Sequence, residues 1–136
     1  MRDSLYDDVA ARLALAPAVR LAATTVNGPS IDVAGQRNFF RVGMFVVLAG
    51  AITDGTHTIV LEDSDTGSGG WAPIAAGNLE GSPPALATAQ ANSVVRVAFA
   101  NTRRYVRCSL TTAGATVGGT VGATCLLSSG SGRPVT

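Results

Sequence analysis

The ionisable side chains available for chemistry are one histidine, nine carboxylates, two cysteines, two tyrosines and ten arginines, and there is no lysine. Schiff-base and lysine general-base chemistry are thereby excluded. His57 is the single histidine, so no histidine dyad exists, and no Cys-His pair sits at metal-ligand spacing. A hydrolytic triad around His57 would need a serine in an elbow such as G-x-S-x-G, and Gly67-Ser-Gly69 is not that motif. Beside the Asp54-Gly55 turn signal, His57 is expected at the surface or in a hairpin. Asp63, Asp65 and Gly67 hint at a calcium loop, but the fifth and twelfth positions of the pattern are Gly67 and Ile74 instead of an acid or amide and a glutamate, so the EF-hand fails. Ser64–Gly70 is therefore expected to be a solvated loop. Glu62 and Asp63 are adjacent on a strand-like segment and point to opposite faces, which disfavours a paired-carboxylate glycosidase site. The glycines from Gly67 to Gly70 lead into Trp71, not into a helix, so they are no phosphate cradle. No catalytic residue, cofactor or metal site is expected.

The segments that carry these residues alternate with period two. In Arg104–Thr111, Val106, Cys108 and Leu110 alternate with Tyr105, Arg107, Ser109 and Thr111, the pattern of a strand with one buried face. Candidate strands follow from Val19 to Val26, Ser30 to Val33, Phe39 to Ala51, Thr56 to Asp63, Trp71 to Ile74, Ser93 to Ala100, Arg104 to Thr112 and Thr116 to Leu127. In Phe39–Ala51, Phe40, Val42, Met44, Val46 and Leu48 share one face. Phe39, Arg41, Gly43, Phe45 and Val47 share the other, so this segment is expected to be a central strand covered on both sides. Gly77 to Asn92 is a long connection of the kind that crosses between sheets. About eight short strands with regular turn signals predict an all-β fold, an antiparallel jelly-roll-like β-sandwich. Residues 1–20 form an N-terminal arm or short helix, 21–127 the sandwich, and 128–136 a loose tail. For residues 4–16, a helix capped by Ser4, with Asp7 and Asp8 in its first turn and Leu5, Val9 and Leu13 at four-residue spacing, and an extended arm are equally consistent with the sequence.

The two cysteines fall on the inward faces of the last two strands. With Ala113-Gly114 as a hairpin turn, Cys108 lies opposite Thr120 and Cys125 opposite Arg103. The sulfurs are then about five residues, roughly 16 Å, apart along the sheet, beyond the ~7 Å Cα limit of a disulfide. Two buried free thiols are expected, as in a reducing cytoplasm.

Composition sets further bounds. At 136 residues, with 46% hydrophobic and 14% charged side chains, the chain is a single folded domain and not a disordered one. A net charge of +1 gives no footprint for nucleic acid. No apolar run reaches the ~18 residues of a membrane span, and Asp7 and Asp8 interrupt what a signal peptide would need.

Ala51-Ile-Thr-Asp-Gly-Thr-His-Thr58, Leu61-Glu-Asp-Ser-Asp65, Trp71, Asn101-Thr-Arg-Arg-Tyr-Val-Arg107 and the terminal Arg133-Pro134 together make the chain, from Leu13 onward, resemble the small head proteins of tailed bacteriophages, the capsid decoration or cement proteins. The resemblance lies in a pattern of strands and loops and not in a catalytic signature. It implies a virion protein, assembled in the host cytoplasm, on the outer surface of the head. There it would bind the major capsid protein and form a homo-oligomer, a dimer in preference to a trimer, without contacting nucleic acid or membrane. Leu5, Val9, Leu13, Trp71, Arg104, Tyr105 and Arg107 are the candidate contact residues, with residues 1–20, Ser64–Gly70 and Gly77–Asn92 as contact regions. The alternative is a carbohydrate- or receptor-binding module of a fibre, spike or tail, which would offer its exposed aromatics to a ligand. Tail and fibre β-domains have a similar composition.

Overall fold

A computed structural model describes residues 4–21, 23–34, 40 and 42–128. A four-residue helix, α1 (Leu5–Asp8), is followed by β1 (Val9–Arg20), β2 (Thr25–Asn27), β3 (Ile31–Asp32), β4 (Val42–Ile52), β5 (Thr56–Ser64), β6 (Ala72–Pro73), β7 (Leu79–Glu80), β8 (Ala85–Leu86), β9 (Ser93–Ala100), β10 (Tyr105–Ala113) and β11 (Gly119–Ser128). These make an all-β sandwich of two antiparallel sheets. One has five strands in the order β1-β11-β4-β9-β7. The other has six: four short strands flank the long pair β10 and β5, with β2 and β3 along β10 and β6 and β8 along β5.

Alternation decides what each sheet buries. Val106, Cys108 and Leu110 of β10 face Phe45 and Val47 of β4, Val97 and Phe99 of β9, and Val121, Cys125 and Leu127 of β11 across one common core. The Phe45 and Phe99 rings meet at 5.2 Å. His57 shares the inward face of β5 with Ile59 and Leu61 and is fully buried, contrary to its expected surface position. Strand parity overrode the turn beside it. Its Nδ1 lies 3.1 Å from the Thr112 hydroxyl. The absence of a side chain at Gly119 leaves room for the ring, since a Cβ there would stand 3.0 Å from Nε2.

Three further expectations are corrected. Residues 9–20 are not an arm or a helix continuing from residue 4 but an edge strand paired with β11. The helix stops at Asp8, although Ser4 caps it as expected by accepting the Tyr6 N–H. Second, β10 and β11 do not form a hairpin. The chain changes sheets between them, so Cys108 pairs in register with Leu61, and Cys125 with Arg12 and Phe45. The thiols are free and buried, and burial pushes both up to about 12, but the register offered as the reason does not exist. Third, β4 is covered on one side alone. Gly43, Phe45, Val47 and Ala49 face the core, whereas Val42 and Leu48 are 44% and 46% exposed. Phe40 is buried just ahead of the strand, and Phe39, Arg41 and the tail beyond Ser128 lie outside the described residues.

The sheet-switching corner after β10 is held by Asp54, in the β4–β5 turn. Its carboxylate accepts the backbone N–H groups of Thr116, Val117 and Gly118. These hydrogen bonds, Gly118 first and then Thr116, hold the acid below its ordinary value. Gly118 supplies the φ of +82° that the corner needs, where a Cβ would collide with the Arg20 carbonyl.

Candidate functional site

The two sheets turn outer faces of opposite character to solvent. On the six-stranded sheet, outward positions of β10 pair with outward positions of its neighbours. Arg107 Nε lies 2.6 Å from Glu62 Oε2, and its guanidinium sits over the Trp71 ring at 4.4 Å. The Ser109 hydroxyl is 2.7 Å from the same Glu62 oxygen and 2.9 Å from Asn27 Oδ1. Burial pushes the Glu62 carboxyl up. The hydrogen bonds from Arg107 and Ser109, with the Arg107 charge, outweigh it and leave the acid below its ordinary value. One row away, Arg104 grips Asp32 with two nitrogens, at 3.1 and 2.9 Å, and lies 5.1 Å from the Tyr105 ring centroid. Hydrogen bonding from Arg104 lowers the Asp32 carboxyl. Four of the expected contact residues, Trp71, Arg104, Tyr105 and Arg107, thus lie together on this face. The two rings carry guanidinium groups and the two guanidiniums carry carboxylates, so the face is satisfied from within.

The loop that follows β5 is closed in the same way. The Ser64 hydroxyl meets the Gly69 carbonyl and accepts from the Thr66 and Gly67 N–H groups at 3.2 Å. Asp63 accepts the Arg103 N–H at 3.1 Å, and Arg103 Nε reaches Asp63 and Asp65 at 3.8 and 3.7 Å. The two aspartates of the would-be calcium loop are therefore turned to an arginine. Among the described residues no group of three His, Cys, Asp or Glu is placed to hold a metal.

The outer face of the five-stranded sheet is apolar and uncovered. Its register sets Leu13, Thr124, Val46 and Arg96 in one row across β1, β11, β4 and β9. The next row holds Ala11, Leu126, Met44, Ala98 and Glu80. In the row on the other side, Leu48 stands beside Val94, with Pro17 packed over Gly122. Leu13 and Val94 are 56% and 59% exposed. Val9 and Leu13 share this face because their four-residue spacing, which suits a helical stripe, also keeps strand parity. Leu5 stands apart, exposed on α1. Val42, Leu48 and Val94 were not among the expected contact residues. The apolar residues at both parities of β4 were the available signal, and coverage by a second layer was the wrong explanation of it.

No helix among the described residues is long and apolar enough to cross a membrane. No protein-family model matches the chain, and no curated protein does. Among solved structures it is similar to that described as the crystal structure of PBSX exported protein XepA, with a TM-score of 0.62 and 16% sequence identity over 88% of this chain. The chain spans 37% of the length of that protein. At this identity the likeness concerns the fold.

Proposed function

We propose that this chain is a structural protein of a phage-related particle, acting by binding and not by catalysis. In its specific form it is a decoration or cement protein, seated on the outside of the head and tying together subunits of the major capsid protein. The observation that carries the reading is the uncovered apolar face beside a polar face whose charges are already paired. A folded domain that leaves several large apolar side chains together in solvent is built to be covered within an assembly. The fold shared with the PBSX exported protein XepA accords with the same reading, and so does the position of His57, the side chain best suited to acid–base work, sealed in the core with no access for a substrate. Attachment falls to Ser64–Gly70, Gly77–Asn92 and the first residues of the chain, since loops on a rigid sandwich carry contacts. Many weak contacts repeated on a symmetric lattice resist dissociation together.

The test is to prepare particles without this protein and heat them beside complete ones. The depleted particles are expected to release DNA at lower temperature, and adding back the purified protein to restore them. Equal heat resistance sinks the cement role. Copy number per particle reads the placement: on the order of hundreds belongs to the shell, whose symmetry repeats every site, and a dozen or fewer to a portal, tail or fibre.

A further inference from the structure

We propose that the outer face of the five-stranded sheet is where two copies of this chain associate, sheet against sheet, with Arg96 of each copy meeting Glu80 of the other. This goes beyond placement on a phage particle: it rests on the same uncovered face, but the oligomeric state in solution is measured apart from particle binding, so either reading can fail without the other.

The size of the face fits a dimer. With about 4.8 Å between strands and about 3.3 Å per residue, the four long strands, about ten residues each, cover roughly 600 Å² in projection, and more once β7 and side-chain relief are counted. A stable interface takes about 800 Å² of accessible surface from each partner. The face is apolar at its centre, where Met44, Val46 and Leu48 follow one another along β4. Sheets stack at about 10 Å by interdigitating such side chains.

The charge pattern selects a second copy as the occupant. The rows described above carry one positive and one negative side chain, Arg96 and Glu80, both exposed, and neither forms an ion pair among the described residues. Consider a two-fold axis lying in the interface, across the strands and midway between Met44 and Val46. It sets β9 over β9 and Arg96 over Ala98 of the second copy. Glu80 pairs in register with Ala98. The carboxylate of the second copy therefore stands about one strand spacing, ~5 Å, from Ala98, within reach of the arginine side chain. The symmetry makes the contact twice. A face with one charge of each sign, placed to answer itself, suits its own copy better than a partner surface of one dominant charge.

Sedimentation equilibrium of the purified protein tests this. The wild-type chain is expected to be a dimer. Val94→Glu, at a position exposed in the single chain, is expected to weaken association by on the order of a hundredfold, because it buries an unpaired charge, while circular dichroism and the folded core stay unchanged. Val94→Ser, which adds no charge, provides a second variant should the first fold poorly. Arg96→Glu is expected to weaken the dimer roughly tenfold by setting like charges together, and combining it with Glu80→Arg to restore it. A chain that is monomeric at all concentrations overturns the proposal, as does a dimer indifferent to all four variants. A monomer whose Val94→Glu variant no longer binds particles also overturns it, giving the face to a different partner.

Discussion

Asp54 does more for this fold than its place in a turn suggests. It holds three backbone N–H groups of the corner where the chain passes from one sheet to the other. With Asp32 and Glu62 it forms a set of carboxyls held below their ordinary values of 3.8 for aspartate and 4.5 for glutamate. A carboxyl whose value is lower folded than unfolded contributes stability that is present above the unfolded value and lost as pH falls through the folded one. The thermal midpoint should therefore fall as pH drops below about 4. Asp54→Asn, Asp32→Asn and Glu62→Gln should each unfold at lower temperature than wild type at neutral pH, with the gap narrowing as pH falls through the lowered folded values and the wild-type acids are themselves protonated. Scanning calorimetry across that range checks this, and a gap unchanged between neutral and acid pH would show that the carboxylate charges are not what matters. The parity of Glu62 and Asp63 was legible in the sequence, and the two do face opposite ways. The anchoring by Asp54 was not, because its partners lie more than sixty residues away and the corner they belong to resembles a simple hairpin.

At the scale of elements, the long strands after β1 were legible and the way they join was not. β9 has the predicted bounds, and β5 and β10 lie within a residue or so of them, because period-two alternation beside turn residues is unambiguous. β1 was lost to an ambiguity. Leu5, Val9 and Leu13 suit a helix that Pro17 would end, and only pairing with β11 settles the matter, with bulges near Ala14 and Pro17 absorbing the misfit. Where β1 and β2 run at neighbouring edges of opposite sheets, they approach so closely that a side chain cannot fit. A Cβ on Gly28 would stand 2.8 Å from the Cys108 carbonyl oxygen and far inside contact distance of the Ala14 carbonyl oxygen. Gly28→Ala is expected to destabilise the chain by about 3 kcal/mol or more, since backbone on both sides must move. Gly77→Ala, where nothing lies within 4 Å, should stay within about 0.5 kcal/mol of wild type. Urea denaturation of both variants decides it, and a neutral Gly28→Ala would mean that the two edges are farther apart than described.

At the scale of the whole molecule, the sandwich divides its labour between its faces. Alternation shows which residues of a strand share a face, but not whether a second layer covers that face; that depends on where the sheet lies in the sandwich. This is why β4 was expected to be covered on both sides, and why Trp71, Arg104, Tyr105 and Arg107 drew notice while Leu48 and Val94 did not. Large aromatic and charged side chains stand out in a sequence, yet here they neutralise one another within one sheet. The plain aliphatic residues of the other sheet are left without partners. If two copies meet through that second face, the association must carry the heat-capacity signature of apolar burial. Covering roughly 1,200 Å² in total, at about 0.45 cal/mol/K for each Å² of apolar surface, gives a heat-capacity change of about −0.5 kcal/mol/K on dimerisation. Dilution calorimetry at several temperatures measures it. An ion-paired interface built from the polar face would instead show a value near zero and a steep loss of affinity with salt, which screens attraction between charges on the two copies. A strongly negative slope that disappears in the Val94→Glu variant assigns the association to the apolar sheet, whereas a slope near zero means the two copies meet elsewhere.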